Sequence, residues 1–476
     1  MTDRAAAPPP DLLLTHGYFL AEDPKEQLIM KPYVPLGVLY LAAYLERAGF
    51  SVEVFDTTFR RFADLEERLR QGPPSVVGFA ANLMTRANVV RLARVAKESG
   101  WTVVLGGPEP PNWPERYLDS GADVVVDGEG EETLAELLPL LRAHGTDPAA
   151  LAKVNGLLFR GGDGALVRTP PRAKVADLDA LPWPAREKVD VARYLETWRK
   201  AHGAGSLSLI TARGCPFRCN WCSHGVYGYS HRRRSPAAVA DELEFLVGTY
   251  RPEQVWYADD VFNIKASWLV EYAAELEKRG LHVPFECICR ADRMTEEAAA
   301  ALARLGAYRV WIGSESGSQR ILDAMERGVT VQQVKDATAL LKRHGIETGM
   351  FLMWGYEGEE IADIEATVAL VKDALPDVFF TTVSYPIKGT KYFEKVADRA
   401  VATTAWETGS DRDFAVRGRH SRRFYDEATK YLRRSVEAHR LRSERGLARL
   451  PRLARALVAA RRARLRLESL AGEVEA

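Results

Sequence analysis

Short apolar runs alternate with amphipathic stretches along most of the chain. Five runs fall in the first third: DLLLTH (Asp11 to His16), SVEVFD (Ser51 to Asp56), SVVGFA (Ser75 to Ala80), WTVVLGG (Trp101 to Gly107) and ADVVVDGEG (Ala122 to Gly130). Between them lie segments of helical period such as LGVLYLAAYLERAGF and RANVVRLARVAKESG. Buried strands alternating with helices predict a doubly wound α/β domain with a parallel sheet covered on both faces, closing near Gly145. Such sheets take ligands at the carboxyl ends of their strands. The unusual residues collect there: Asn82, Leu83 and Thr85 after the third run, Gly106, Gly107 and Glu109 after the fourth, Gly128 and Glu129 after the fifth. Glycine and proline end strands for purely local reasons too, but three glycine-bearing or polar loops at one rim favour a ligand.

From Lys153 to Gly205 the alternation breaks. NGLLFRGGDGALVRT reads as a hairpin, and a proline-bearing connector follows it, so 146–205 reads as a bridge. A second alternating series then begins: SLSLITARG, QVWYADDVFNI, FECICRAD, YRVWIGSESG, ETGMFLMWG and DVFFTTVSYP, with helical patterns between. Six strand–helix repeats predict a curved parallel sheet or partial barrel with its functional groups at the strand ends.

Composition changes this picture little. The 476 residues balance 65 Lys and Arg against 65 Asp and Glu, so the overall field points to no nucleic-acid partner. The start, MTDRAAAPPPDLLLTH, has too short an apolar run for a signal-peptide core, and a cytoplasmic location is expected. Five cysteines in such a chain argue against a disulfide framework.

Three of the five are packed together. LITARGCPFRCNWCSHGVYG places Cys215, Cys219 and Cys222 on the loop after the first strand of the second series. Thiolates in a C-x3-C-x2-C array are soft ligands able to converge on one metal centre, leaving a coordination position open. Zinc completed by His224 is the alternative, although structural zinc sites usually pair C-x2-C modules. Cys287 and Cys289, alternate residues of FECICR, share one strand face and read as small core residues, with a substrate-facing thiol as the other option.

CPFRCNWC resembles the signature of the radical S-adenosylmethionine superfamily, including the aromatic Trp221 before the last cysteine. LPWPAR, RRRSP (Arg232 to Pro236), ADDVF (Ala258 to Phe262), GSESGS (Gly313 to Ser318) and YPIKGTKYFEKV (Tyr385 to Val396) look like further landmarks of its cobalamin-binding members. The resemblance covers roughly Asp11 to Val396. It implies a Rossmann-like cobalamin-binding domain at 1–145, a bridge at 146–205, a partial (β/α)6 radical core at 206–396 and a helical C-terminal region at 397–476. It also implies three cofactors: a 4Fe-4S cluster on Cys215, Cys219 and Cys222, S-adenosyl-L-methionine chelated by the open iron, and cobalamin. The cluster's electron would cleave the sulfonium to a 5′-deoxyadenosyl radical, with the cofactors carrying the hard chemistry. One departure stands out: the loop after His16 has no D-x-H-x-x-G, so cobalamin would lack a histidine below its cobalt.

Further roles follow from the resemblance, each against the plainer reading of an ion pair or loop cap. Asp259 and Asp260, after the second barrel strand, would accept hydrogen bonds from the methionyl ammonium. Arg290 would pair with the methionyl carboxylate, and Glu315 would hold the ribose hydroxyls. The expected activity is methyl transfer to an unactivated carbon of a small natural-product or lipid-like molecule, supplied with electrons by a flavodoxin- or ferredoxin-type donor. An oxidative cyclase or ring-rearranging enzyme is the alternative. The arginine-heavy tail from Lys430 reads first as a solvated face, with a membrane surface or an anionic partner as the other options.

Overall fold

The computed structural model describes residues 9–475. The proline-containing start, residues 1–8, lies outside them. Two compact units emerge: one comprises the chain up to Pro216 with Ser223–Gln254 and Thr404–Arg412, the other Phe217–Cys222, Val255–Thr403 and Asp413–Ala476.

In the first unit the elements run β1 (Leu12–His16), α1 (Pro24–Ile29), α2 (Leu36–Arg47), β2 (Val52–Phe55), α3 (Phe62–Gln71), β3 (Val76–Ala80), α4 (Arg86–Glu98), β4 (Thr102–Gly106), α5 (Pro114–Asp119), β5 (Val124–Val126) and α6 (Glu131–His144). Next come α7 (Pro148–Leu151), β6 (Leu157–Arg160), β7 (Leu166–Arg168) and α8 (Val191–His202). The sheet order is β2-β1-β3-β4-β5-β6-β7. The five sequence-predicted strands pair in parallel, and the hairpin β6–β7 extends the sheet by antiparallel pairing with β5. Both faces are covered, by Val77, Phe79, Val103 and Leu105 on one side and Leu12, Leu14, Val104 and Val124 on the other. That is why the central strands read as near-continuous apolar runs rather than as alternating ones.

The same unit continues with β8 (Ser206–Leu209), β9 (Ala212–Arg213), β10 (Arg232–Arg233) and α9 (Pro236–Tyr250). Strands β9 and β10 pair antiparallel, Arg213 opposite Arg232, and bracket the cysteine stretch in sequence. Helix α9 starts where Ser235 accepts a hydrogen bond from the Ala238 amide and Pro236 takes the first turn, a position that needs no amide donor.

The second unit carries β11 (Gln254–Tyr257), α10 (Ala266–Arg279), β12 (Phe285–Cys289), α11 (Glu296–Leu305), β13 (Ala307–Glu315), α12 (Gln319–Ala324), α13 (Val331–Arg343), β14 (Glu347–Trp354), α14 (Ile361–Ala374), β15 (Val378–Val383) and α15 (Lys391–Val396). Strands β11 to β15 are neighbours in chain order and all parallel. Register divides the residues between two faces. Tyr257 stands level with Cys287, and its hydroxyl meets that of Tyr272 on α10, so Cys287 and Cys289 belong to the helix-covered face. Both are buried, as expected of core residues. Glu286, Trp311, Phe351 and Phe380 take the opposite face. The short pair β16 (Ala400–Ala402) and β17 (Phe414–Val416) precedes a helical hairpin, α16 (Arg422–Ser443) and α17 (Leu450–Ser469). No helix among the described residues is long and apolar enough to cross a membrane.

Candidate functional site

In the second unit the segment Phe217–Cys222 is held on several sides. The Asn220 amide donates to the Met325 carbonyl (3.1 Å), its side-chain Nδ2 to the Ala324 carbonyl (2.8 Å), and its carbonyl accepts from the Tyr392 amide (2.9 Å). The Tyr356 hydroxyl donates to Asn220 Oδ1 at 2.9 Å. Trp221 is half-buried against a core cluster that includes Ile321, Met325 and Tyr392, so the aromatic of the signature anchors this segment.

Cys219 is buried between two guanidinium groups. Arg290 Nη1 stands 3.8 Å and Arg327 Nη1 3.7 Å from its sulfur. Arg290 is itself fixed: its Nε donates to Asp292 (2.8 Å), its Nη2 to the Arg327 carbonyl (2.9 Å), and its guanidinium lies 3.6 Å from the centre of the Phe217 ring. Its backbone is clamped by Asn263, which exchanges two hydrogen bonds with the Arg290 amide and carbonyl. Arg327 donates to the Gly313 carbonyl (2.9 Å) and stands 3.9 Å from the Glu315 carboxylate. Positive charge packed around a buried sulfur suits an anionic thiolate ligand, so the donor chemistry fits an iron–sulfur cluster.

Glu315 ends β13 with φ of +54°, an uncommon conformation for a side-chain-bearing residue. Burial pushes its carboxyl above the ordinary value, and Arg327 and Arg290 only partly oppose this. Asp259 is buried and Asp260 exposed just beyond β11. On the same sheet Trp311 lies flat over Gly349, where a Cβ would come within 2.3 Å of its ring. Phe351 and Phe380 stack against it at 4.9 and 5.3 Å between ring centres, with Phe380 52% exposed. Tyr308 and Trp311 both donate to Glu286 beneath.

In the first unit Cys215 is half-buried just past Gly214, whose φ of +85° and contact with the Ser230 carbonyl exclude a side chain. Arg213, two residues before it, is buried between Glu129 (2.7 Å) and Glu131 (2.6 Å). Burial disfavours the Arg213 charge, but Glu131, Tyr227 and Glu129 outweigh it and hold the pKa above its ordinary value. Glu129 also accepts from Arg232 (2.7 Å) and from the Val175 amide (2.9 Å), so its side chain is committed to arginines. Cys222, in the second unit, is exposed. His224 lies against the Tyr229 ring, and among the described residues no three His, Cys, Asp or Glu side chains surround a single-ion site of the kind the zinc alternative requires.

The rim of the first sheet gathers the other expected residues. Asn82 Oδ1 accepts from the amides of Met84 (2.9 Å) and Thr85 (3.2 Å), and Thr85 Oγ1 accepts from the Asn82 amide (3.0 Å), which shapes the turn into α4. Leu83 is half-buried within it. Gly107 has φ of +105°, and a Cβ there would sit 2.3 Å from the Ala81 carbonyl oxygen. Gly106 and Gly128 face open space, with nothing nearer than 3.9 Å to a Cβ on either. This bare backbone fits the approach of a large flat ligand.

Glu109 is buried and turned to other work. Its carboxylate accepts from Arg86 (2.6 Å) and from the Tyr117 hydroxyl. Arg86 in turn pairs with the fully buried Asp411, and its guanidinium lies between the rings of Trp113 (5.7 Å) and Trp406 (5.3 Å). Thr404–Arg412 thus contributes Trp406 and Asp411 to the first unit, from a place in the chain where local pattern offers no hint of it. His16 is engaged as well: Nε2 meets Asp56 at 3.0 Å and Nδ1 meets the Thr57 hydroxyl at 2.9 Å. Arg327 carries no motif of its own, and Asn220, although it lies within CPFRCNWC, had no role assigned to it from the sequence.

Comparison with known proteins accords with this geometry. The Radical SAM superfamily matches residues 209–371, and the B12 binding domain matches residues 30–138. An uncharacterized methyltransferase of Pyrococcus horikoshii is 29% identical over 395 residues, spanning 81% of this chain and 83% of the relative. The anaerobic magnesium-protoporphyrin IX monomethyl ester cyclase of Rubrivivax gelatinosus is 28% identical, spanning 77% of this chain and 66% of the relative. Among solved structures, the radical S-adenosylmethionine methyltransferase TsrM from Kitasatospora setae, determined with cobalamin and a [4Fe-4S] cluster, shares the fold at a TM-score of 0.67 and 23% identity, covering 82% of this chain and 75% of that one. The cofactors are accordingly a 4Fe-4S cluster, S-adenosylmethionine and cobalamin. With a B12-binding domain and a radical SAM domain in one polypeptide, the chain belongs to the cobalamin-binding radical S-adenosylmethionine enzymes.

Proposed function

We propose that the chain is a methyltransferase that places methyl on an unactivated carbon of a small, largely apolar molecule. One observation carries the reading: a glycine-bared rim on one sheet and a cysteine held between guanidinium groups on the other occur in one chain, as methyl donation and radical formation require. The relative named as a methyltransferase over 81% of the chain supports it. When bound, the cluster with S-adenosylmethionine supplies a carbon-centred radical and cobalamin supplies the methyl group.

The chain's own residues divide the remaining work. Cys215, Cys219 and Cys222 hold the cluster. Arg290 and Arg327 face the sulfur of Cys219, and Arg290 also stands as the candidate partner of the methionyl carboxylate. Glu315, buried beside Arg327, accepts from ribose hydroxyls, and Asp259 with Asp260 accepts from the methionyl ammonium. Backbone at Asn82 to Thr85, at Gly106 and Gly107, and at Gly128 lines the corrin, with the Glu109 and Glu129 carboxylates bracing those loops through arginines. His16, with both ring nitrogens engaged, would not be available as a ligand to cobalamin. The ring stack of Trp311, Phe351 and Phe380 supports an apolar substrate. The functional domains keep the limits 1–145, 146–205, 206–396 and 397–476, although 206–216, 223–254 and 404–412 pack with the first compact unit. The electron donor is external, of flavodoxin or ferredoxin type.

The test is product counting with the anaerobically reconstituted enzyme. Methyl transfer requires S-adenosylhomocysteine and 5′-deoxyadenosine in near-equal amounts, with deuterated methyl from S-adenosylmethionine in the product. Given a relative named as a cyclase at 28% identity, an oxidative ring closure is the second reading. It requires 5′-deoxyadenosine and a product of unchanged carbon count.

A further inference from the structure

The C-terminal helical hairpin turns its apolar side chains two ways. Ala456, Ala460, Ala463 and Leu467 of α17 are buried, and Ala456 with Leu453 packs against Ala438 and Leu441 of α16. Small residues there bring the helices close. Other large apolar residues point elsewhere: Leu450 is 48% exposed, Leu457 39%, Val458 51% and Leu465 55%, and Leu447 just before the helix is 82% exposed. Spaced seven and eight residues apart, these positions form one outward stripe, and they make up more than a third of the large hydrophobic residues exposed among the described residues.

Charge surrounds the stripe. Between 442 and 466 the sequence has nine arginines and one acidic residue, Glu444. Arg464 is spent on Glu365 and Glu468, Arg452 approaches Glu444, and Arg466 approaches Glu427. Arg445, Arg455, Arg461 and Arg462 have no acidic partner among the described residues. A helix showing water both leucine and unpaired arginine on one side matches the interface between a bilayer's acyl chains and anionic headgroups. The stripe is too charged to span a membrane. A second copy of the same face would bring arginine against arginine, and a nucleic acid would leave the leucines in water.

We propose that the outer face of α17 is a docking surface for an anionic lipid bilayer, with Leu450, Leu457, Val458 and Leu465 entering the acyl boundary and Arg455, Arg461 and Arg462 meeting the headgroups. The helix lies in the interface plane, and the seam to α16 keeps the rest of the unit outside the bilayer.

The experiment is vesicle flotation of the full chain at 0.15 M salt, with phosphatidylcholine alone and with phosphatidylcholine carrying 30% phosphatidylglycerol. Flotation is expected only with the anionic vesicles. Replacing Leu457, Val458 and Leu465 with serine should cut partitioning at least ~10-fold, since each such side chain loses its apolar burial. Replacing Arg455, Arg461 and Arg462 with glutamine should cut it by roughly 5-fold per arginine, and raised salt should act in the same direction. All six positions are exposed, so the fold survives, as circular dichroism and cobalamin content would verify. No flotation of the wild-type chain overturns the proposal, as does equal flotation on neutral vesicles or a serine variant that floats as well as wild type. Duplex DNA binding that matches vesicle binding and ignores the serine changes would mark a general polyanion surface and overturn it as well.

Discussion

Replacing Glu359 with glutamine should remove a pH-dependent weakness from the second unit. Glu359 follows β14 in the loop Gly355 to Glu360 and is 4% exposed. One carboxylate oxygen accepts from the Gly355 amide at 2.6 Å, while the other is buried without a hydrogen-bond partner. Burial pushes its pKa up to about 8. The Gly355 amide opposes that rise, Asp363 adds to it, and Arg320 and Arg419 act against it. A carboxylic acid in the unfolded chain titrates near 4.5. Between these values the folded protein holds a proton that the unfolded chain has released, so the group's contribution is fully present below pH 4.5 and is lost as pH rises through 8. Each pH unit in that window is worth about 1.4 kcal/mol, which sets a ceiling on the order of 5 kcal/mol, and water entering the site reduces it. Glutamine keeps the acceptor for Gly355 and cannot ionise. Hydrogen exchange of peptides covering β14 and α14, compared between Glu359→Gln and wild type from pH 5.5 to 8.5, reads the local opening free energy. The gap should widen in favour of glutamine by about 2 kcal/mol or more across that range. Any fixed cost of the substitution cancels in the comparison, so a gap independent of pH would refute the reasoning.

Three further outcomes are expected. Gly107→Ala should lose cobalamin on purification and destabilise the first unit by about 1–3 kcal/mol, because its Cβ meets the Ala81 carbonyl at a left-handed backbone; Gly106→Ala, with room for a Cβ, should keep the fold, so chromophore loss there reports backbone approach to the corrin. Asp411→Ala should destabilise the first unit by about 3–5 kcal/mol in urea titrations, since it leaves Arg86 buried with one carboxylate partner fewer, whereas the double change Arg86→Met with Asp411→Leu should cost less. Phe380→Ala should change the melting temperature little, because the ring is half exposed, yet raise the KM for the substrate several-fold, with Phe380→Tyr retaining most of the affinity.

Much of the fold was legible because burial on both sides makes each central strand a dense apolar run. All eleven such runs became strands, and ten of them, β1 to β5 and β11 to β15, stand in parallel pairings. The hairpin β6–β7 was visible as a hairpin, but its attachment to β5 was not, since edge pairing follows from geometry rather than pattern. The cysteine array was plain, whereas Arg327 sits in a loop with no motif and meets Cys219 only through the fold. Leucine and alanine read alike as apolar, so the tail's period could not say which of them would be buried; Ala456, Ala460, Ala463 and Leu467 are, while Leu450, Leu457 and Leu465 stand in water.

The segment Thr404–Arg412 sets an order on how the protein is made. Arg86 leaves the ribosome early, and its partner Asp411 follows 325 residues later. At ~5–20 residues per second, Arg86 waits roughly a quarter of a minute to a minute beside Glu109 alone, with Trp113 lacking its cover. The first unit therefore completes only after the whole parallel sheet β11 to β15 of the second has been synthesised. A fragment cut near Gln254 would carry every strand of the first sheet and still lack the buried Asp411 and the half-buried Trp406. The two units are thus not interchangeable cassettes, and a recombination that swapped one for a homologue's would have to carry nine residues from the far end of the gene along with it.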